Sequence, residues 1–104
     1  MKELKNKKVL ITGGAKGIGK QIALEFARQR ADIIICDSDK SFFNKNEFKQ
    51  NIKEIKDIGV SCYGLYLDVT KYKDVVRERR TILDLVGKID VLVNNAGVVF
   101  GGKF

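Results

Sequence analysis

The sequence predicts an α/β fold, a doubly wound parallel sheet, and three observations predict it. Short β-branched runs alternate with longer segments whose apolar residues recur at helical spacing. A cluster of glycines falls between the first run and the first helical segment, and the connections leave no room for a second domain. Strands joined through helices run parallel with right-handed crossovers, so the pattern βαβαβαβ implies the strand order 3-2-1-4.

Residues 8–12, Lys-Val-Leu-Ile-Thr, suit a strand buried on both faces. Beyond the glycines, Ile18, Ile22 and Phe26 recur every fourth residue with Ala23 and Ala27 beside them, which predicts an apolar stripe on a helix ending near Arg30. Asp32-Ile-Ile-Ile-Cys-Asp37 repeats the strand signal. Asn44-x-x-Glu47 resembles a capping box opening a helix that runs to about Ile58 and is closed by Gly59. A third strand over 61–67 precedes a helix capped by Thr70 and carrying Val75, Val76, Arg79, Ile82, Leu83 and Val86. Val91-Leu92-Val93 reads as the fourth strand.

At 104 residues the chain fits one domain. Its 44% hydrophobic and 32% charged residues, ten glycines and no proline exclude a disordered or collagenous chain. Cys36 and Cys62 lie far apart in segments read as strands, which points to core thiols rather than a redox pair or zinc cluster. The residues before the first strand hold neither a signal-peptide core nor a membrane span, so a cytoplasmic protein without a membrane segment is expected. The formal net charge is +7, yet it is dispersed, with Lys45, Lys49, Lys53 and Lys56 opposite Phe48, Ile52 and Ile55 as on a solvated helix face. Without a recognisable binding module, no nucleic-acid partner is expected.

Thr12-Gly13-Gly14-Ala15-Lys16-Gly17-Ile18-Gly19 stands where a strand gives way to a helix. There a diphosphate can lie against backbone N–H groups at the positive end of the helix dipole. Glycine permits the turn, the approach of phosphate, and close packing of the helix on the strand. Glycines also close ordinary turns. Asp37, at the end of the next strand, has the separation expected of a carboxylate that accepts from a ribose hydroxyl, and otherwise reads as a solvated turn residue.

The glycine spacing, GxxxGxG, together with Asp37, Leu67-Asp68-Val69 and Asn94-Asn95-Ala96-Gly97, resembles the short-chain dehydrogenase/reductase family over essentially the whole chain. Residues 94–101 look most like its retinol and hydroxysteroid dehydrogenase branch. The resemblance implies a Rossmann-type domain binding NAD or NADP. It places Gly13, Gly17 and Gly19 along the pyrophosphate, Asp68 and Val69 at the adenine, and Asn95, Ala96 and Gly97 beside the adenosine and inner ribose, with Gly14, Lys16 and Ile18 also in the cofactor-binding segment. For Asp68 the alternative is a role in starting the third helix, and for Asn94 and Asn95 a role in ending the fourth strand through side-chain hydrogen bonds.

The family's chemistry uses a Tyr with a Lys four residues later, a Ser and a further Asn. Tyr63, Tyr66 and Tyr72 are followed at that spacing by Leu67, Thr70 and Val76, and the sequence has no histidine. The expectation is therefore the cofactor-binding N-terminal part of an oxidoreductase acting on a small alcohol or carbonyl substrate, truncated before its catalytic part and inactive alone. The alternatives are a short nucleotide-binding protein without catalysis and a basic interaction protein that reuses the fold. Asp37 favours NAD, since a carboxylate repels a 2′-phosphate, whereas Lys16 favours NADP. Two helices on one sheet face and one on the other leave the second face undercovered and the fourth strand an open edge, which invites self-association.

Overall fold

The computed structural model describes residues 4–13, 17–38, 45–68 and 71–94. Among them, β1 (Lys8–Thr12), β2 (Asp32–Asp37), β3 (Cys62–Tyr66) and β4 (Val91–Asn94) alternate with α1 (Gly17–Arg28), α2 (Asn46–Lys56) and α3 (Tyr72–Val86). The strands are parallel in the order β3-β2-β1-β4, as the alternation of strands and helices requires. In register, Leu10 lies beside Ile34 and Leu92, and Ile34 beside Tyr63.

Side chains alternate across a strand, so each strand feeds two cores. Val9, Ile11, Ile33 and Ile35 face α1 and α2, where they meet Ala23, Leu24, Ala27, Phe48 and Ile55. Leu10, Ile34 and Cys36 form the other core with Leu67 and Ile82, and among the described residues α3 is the helix that covers it. Cys36 and Cys62 are buried and unpaired with each other. Burial pushes both thiols up to about 12, with the charges of Glu78 and Asp37 adding to the effect at Cys36.

The first helix departs from the expected stripe. Its buried residues are Gly19, Ala23, Leu24 and Ala27, while Ile18 is 74% exposed. A seam of small residues at four-residue spacing lets the helix axis approach the sheet closely, which rotates Ile18 away from it. The helix also stops at Arg28, because Arg30 adopts φ +76. Arg30 N–H bonds to Ala27 O at 2.9 Å and Ala31 N–H to Phe26 O at 3.2 Å, a Schellman closure made with arginine where glycine is usual. Arg30 Nη1 then donates to Ile58 O at 3.0 Å, tying this turn to the one that follows α2.

The expected caps are corrected as well. Lys45 and Lys71 occupy the N-cap positions of α2 and α3, and neither makes a side-chain cap hydrogen bond. The capping box therefore does not form as Asn44-x-x-Glu47, since Glu47 falls one position short of closing it on Lys45. Asn44 and Thr70 themselves lie outside the described residues.

Two aspartates fasten the N-terminal ends of the strands. Asp32 pairs with Lys8 Nζ at 2.5 Å and accepts from Ser61 N–H at 3.0 Å. Asp90 accepts from Lys8 N–H at 2.8 Å, and that bond, with help from Lys88, holds its carboxyl below the usual range.

Gly64, in the middle of β3, carries a packing constraint that its sequence context does not announce. A Cβ there would sit 2.5 Å from both Phe48 Cε1 and Ile52 Cδ1, so α2 rests directly on the strand backbone. Phe48 is buried in the first core and cannot swing clear without opening it. Gly64→Ala is expected to cost about 1–3 kcal/mol by overpacking, read as a lower urea midpoint at constant slope. An unchanged midpoint would show that α2 yields without strain.

Candidate functional site

Parallel strands end on the same side, and the C-terminal ends of all four strands here form one rim. Register pairs Thr12 with Cys36 on one flank and with Asn94 on the other, and Asp37 with Tyr66. β1 lies where the winding reverses: the chain moves outward from it to β2 and β3, then returns to its other side as β4. Open α/β sheets place ligands in the crevice at such a point, outside the carboxyl ends of the strands.

Gly13 follows β1 at φ +64, and its N–H donates to Cys36 O at 2.7 Å, which extends the pairing of β1 with β2 by one residue. Gly17 begins α1 at φ +59, a left-handed conformation that disfavours a side chain, and a Cβ there would meet nothing within 4 Å. The first turn of α1 holds no acidic residue. The open space at Gly17 and the positive end of a twelve-residue helix suit an anionic group such as a diphosphate. Exposed Ile18 stands on that first turn, and Gly19 is buried behind it.

Asp37 closes β2 with 6% exposure, which sets aside its reading as a solvated turn residue. Its carbonyl accepts from Leu67 N–H at 3.0 Å, drawing the end of β3 against the end of β2. Asp68 follows, half-buried, and its carbonyl accepts from Lys71 N–H at 3.0 Å in the turn that leads into α3. The rim thus gathers Gly13, Gly17, Asp37 and Asp68. Gly14, Lys16, Val69, Asn95, Ala96 and Gly97 lie outside the described residues.

Thr12 supplies a tie that the motif alone did not reveal. It is 3% exposed, and its hydroxyl donates to Asn94 Oδ1 at 3.1 Å, with Val93 O 3.4 Å away. The bond locks the end of β1 to the end of β4, so an Asn side chain does help to finish that strand. Among the described residues no group of three or more His, Cys, Asp or Glu could hold a metal ion, and no helix is long and apolar enough to cross a membrane.

Comparisons with known proteins agree with this geometry. A family model described as short chain dehydrogenase matches residues 7–104. The chain is 36% identical over 103 residues to human short-chain dehydrogenase/reductase 3, covering 97% of this chain and 32% of the human protein. It is 32% identical over 92 residues to estradiol 17-beta-dehydrogenase 11 of Macaca fascicularis, covering 88% of this chain and 29% of that one. Among solved structures, NAD+-bound xylitol dehydrogenase superposes with a TM-score of 0.81 at 29% identity, covering 93% of this chain and 35% of that one. The NADP complex of Pseudomonas aeruginosa RhlG gives 0.77 at 26% identity, covering 93% and 37%. The chain thus spans about a third of the length of the relatives it matches.

Thr12→Val keeps the shape of the side chain and removes its donor. The substitution is expected to cost about 0.5–1.5 kcal/mol and to speed amide exchange in β4 more than in β2. Equal acceleration in both strands would show that the Thr12–Asn94 bond does not hold the β4 end in particular.

Proposed function

The chain belongs to the short-chain dehydrogenase family, and on that footing we propose that it is the dinucleotide-binding portion of an oxidoreductase that moves hydride between NAD(P) and an alcohol or carbonyl substrate. The observation that carries this reading is the placing of buried Asp37 on the same rim as Gly13 and the start of α1. A bound nicotinamide would supply the hydride. Gly13, Gly17 and Gly19 would line the pyrophosphate, with helix N–H groups donating to its oxygens and Gly19 keeping α1 close to the sheet, and Gly14, Lys16 and Ile18 would complete the cofactor-binding segment. Ile18 would exchange water contact for contact with the cofactor, which supports assigning its exposure to function rather than to misfit.

Asp37 would accept hydrogen bonds from the adenosine ribose, while Asp68 and Val69 would border the adenine and Asn95, Ala96 and Gly97 the inner ribose. At Asp37 a 2′-phosphate would bring negative charge against a carboxylate held in a low-dielectric setting, so NAD(H) is preferred. Lys16 opposes that preference but does not reverse it, because an ammonium on a long flexible stem is less fixed than a carboxylate at a strand end. NADH is expected to bind about tenfold or more tightly than NADPH, and Asp37→Ala to narrow the gap. Dissociation constants measured by fluorescence titration decide it, and equal or tighter NADPH binding would overturn the preference.

The chain as given carries no Tyr-x-x-x-Lys and no histidine. Holding a nicotinamide without a proton donor supplies orientation but not acid/base catalysis. The 104-residue chain is therefore expected to show no turnover above background on a panel of secondary alcohols with either cofactor, followed by reduced-nicotinamide absorbance. Robust turnover would contradict this account of the chemistry.

A further inference from the structure

Charge is segregated on α2. Lys20 of α1 pairs with Glu54 at 2.8 Å, which turns that flank of α2 toward α1. Glu47 lies two turns earlier on the same flank. Phe48 and Ile52 rest on Gly64 of β3, and helical spacing puts Lys45, Lys49, Lys53 and Lys56 on the flank beyond them, toward the outer edge of that strand. Lys56 is near enough for its charge to oppose the burial that raises the Cys62 thiol. Lys53 pairs with Asp57 at 3.0 Å, whereas among the described residues Lys45, Lys49 and Lys56 have no acidic partner.

Beside that flank runs β3. Ser61 O accepts from Ile33 N–H and Leu67 N–H donates to Asp37 O, both on the β2 side. Backbone groups alternate sides along a strand, so Tyr63 and Leu65 also turn theirs to β2, and Cys62, Gly64 and Tyr66 turn theirs outward. Among the described residues no strand pairs with that side, and after β3 the chain crosses to the far side of β1. The strand itself, Cys62-Tyr-Gly-Leu-Tyr66, has no charge and no proline to guard its edge. Lengths and spacings agree as well. A helix rises about 1.5 Å and a strand about 3.3 Å per residue, so the eleven-residue α2 and the five-residue β3 are both about 16 Å long. Lysines four apart on the helix recur every ~6 Å, and alternate residues of a strand every ~6.6 Å.

We propose that the outer edge of β3 takes up an extended acidic segment of a partner protein as an added strand, with carboxylates at alternate positions meeting the lysines of α2. The ladder supplies backbone hydrogen bonds, and the lysine flank selects the charge of what enters it. The opposite face of the added strand continues that of Tyr63 and Leu65, which pack with the second core, and so suits apolar side chains. A second copy of this chain, at net charge +7, is repelled. A lipid surface or a nucleic acid meets the lysines but offers no row of peptide donors and acceptors to the edge. The edge lies two strands away from β1 and its glycine turn, so the proposal stands independently of the dinucleotide reading.

Titration of the chain with short end-capped peptides, followed by backbone amide resonances, tests this. The probe alternates Glu and Val, and its control has the same composition with the glutamates in one block. Lys49→Glu is the disrupting variant. Lys49 is exposed in the first turn of α2, where an acidic side chain suits the helix dipole, so the variant is expected to keep its fold, checked by circular dichroism. Arg80→Glu makes the same charge change on α3, at a site on the other side of the sheet, and should leave binding unchanged. The expected result is saturable shifts at Cys62, Gly64 and Tyr66 and along α2, with slower exchange of the Gly64 amide, for the alternating peptide. Lys49→Glu should weaken that binding about fivefold or more, since reversal replaces an attraction by a repulsion. No saturable binding, equal binding of the block peptide, or binding that Lys49→Glu leaves intact would each overturn the proposal. So would phosphatidylserine vesicles or polyphosphate shifting the α2 lysines while the alternating peptide leaves the Cys62 and Gly64 amides unmoved.

Discussion

The parallel pairing of β1 with β2 on one side and β4 on the other decides where the described candidate site residues lie. A one-residue slip of β1 would turn Val9 and Ile11 toward α3 and Leu10 toward α1, exchanging the two cores. The same pairing brings Thr12 beside Asn94 and Cys36, and so carries Gly13 to the end of β2, next to Asp37. The gathering of polar residues at the rim is in this sense a by-product of core packing. The strands align because their apolar residues must alternate in step, and the polar residues after them then arrive together.

Closeness of α1 to the sheet is the second requirement. Gly19, Ala23 and Ala27 give up side-chain burial to bring the helix near, and its N-terminus with it, to the crevice. Larger residues on that seam would bury more apolar area at about 25 cal/mol/Å² but would lift the helix dipole away from any bound diphosphate. On the other side of the sheet, among the described residues, α3 is the helix that packs on Leu10, Ile34 and Cys36.

Strand positions and order were legible because β-branched runs such as Asp32-Ile-Ile-Ile-Cys-Asp37 leave little alternative, and right-handed crossovers restrict the rest. That Gly13, Asp37 and Asp68 stand at or just past the ends of strands was readable from the same runs. Less visible was anything decided by contact across the fold. Nothing local marks Gly64 as the seat of α2, or Arg30 as a helix terminator whose cost is offset by its bond to Ile58 O. Periodicity nominated Ile18 for the core because it counts apolar residues and takes no account of how close the helix axis comes. The Thr12 hydroxyl escaped notice because its partner, Asn94, is 82 positions away and becomes a neighbour only through register.

The most direct test of the account is to locate the dinucleotide on the chain by following backbone amide resonances during titration with NADH at low and high salt. The account predicts saturable shifts centred on Gly13, Gly17 through Gly19, Asp37 and Asp68, at both ionic strengths, with the lysines of α2 unaffected. Shifts confined to Lys49, Lys53 and Lys56 and abolished by salt would contradict it, since they would mark the nucleotide as a mere polyanion on a basic helix.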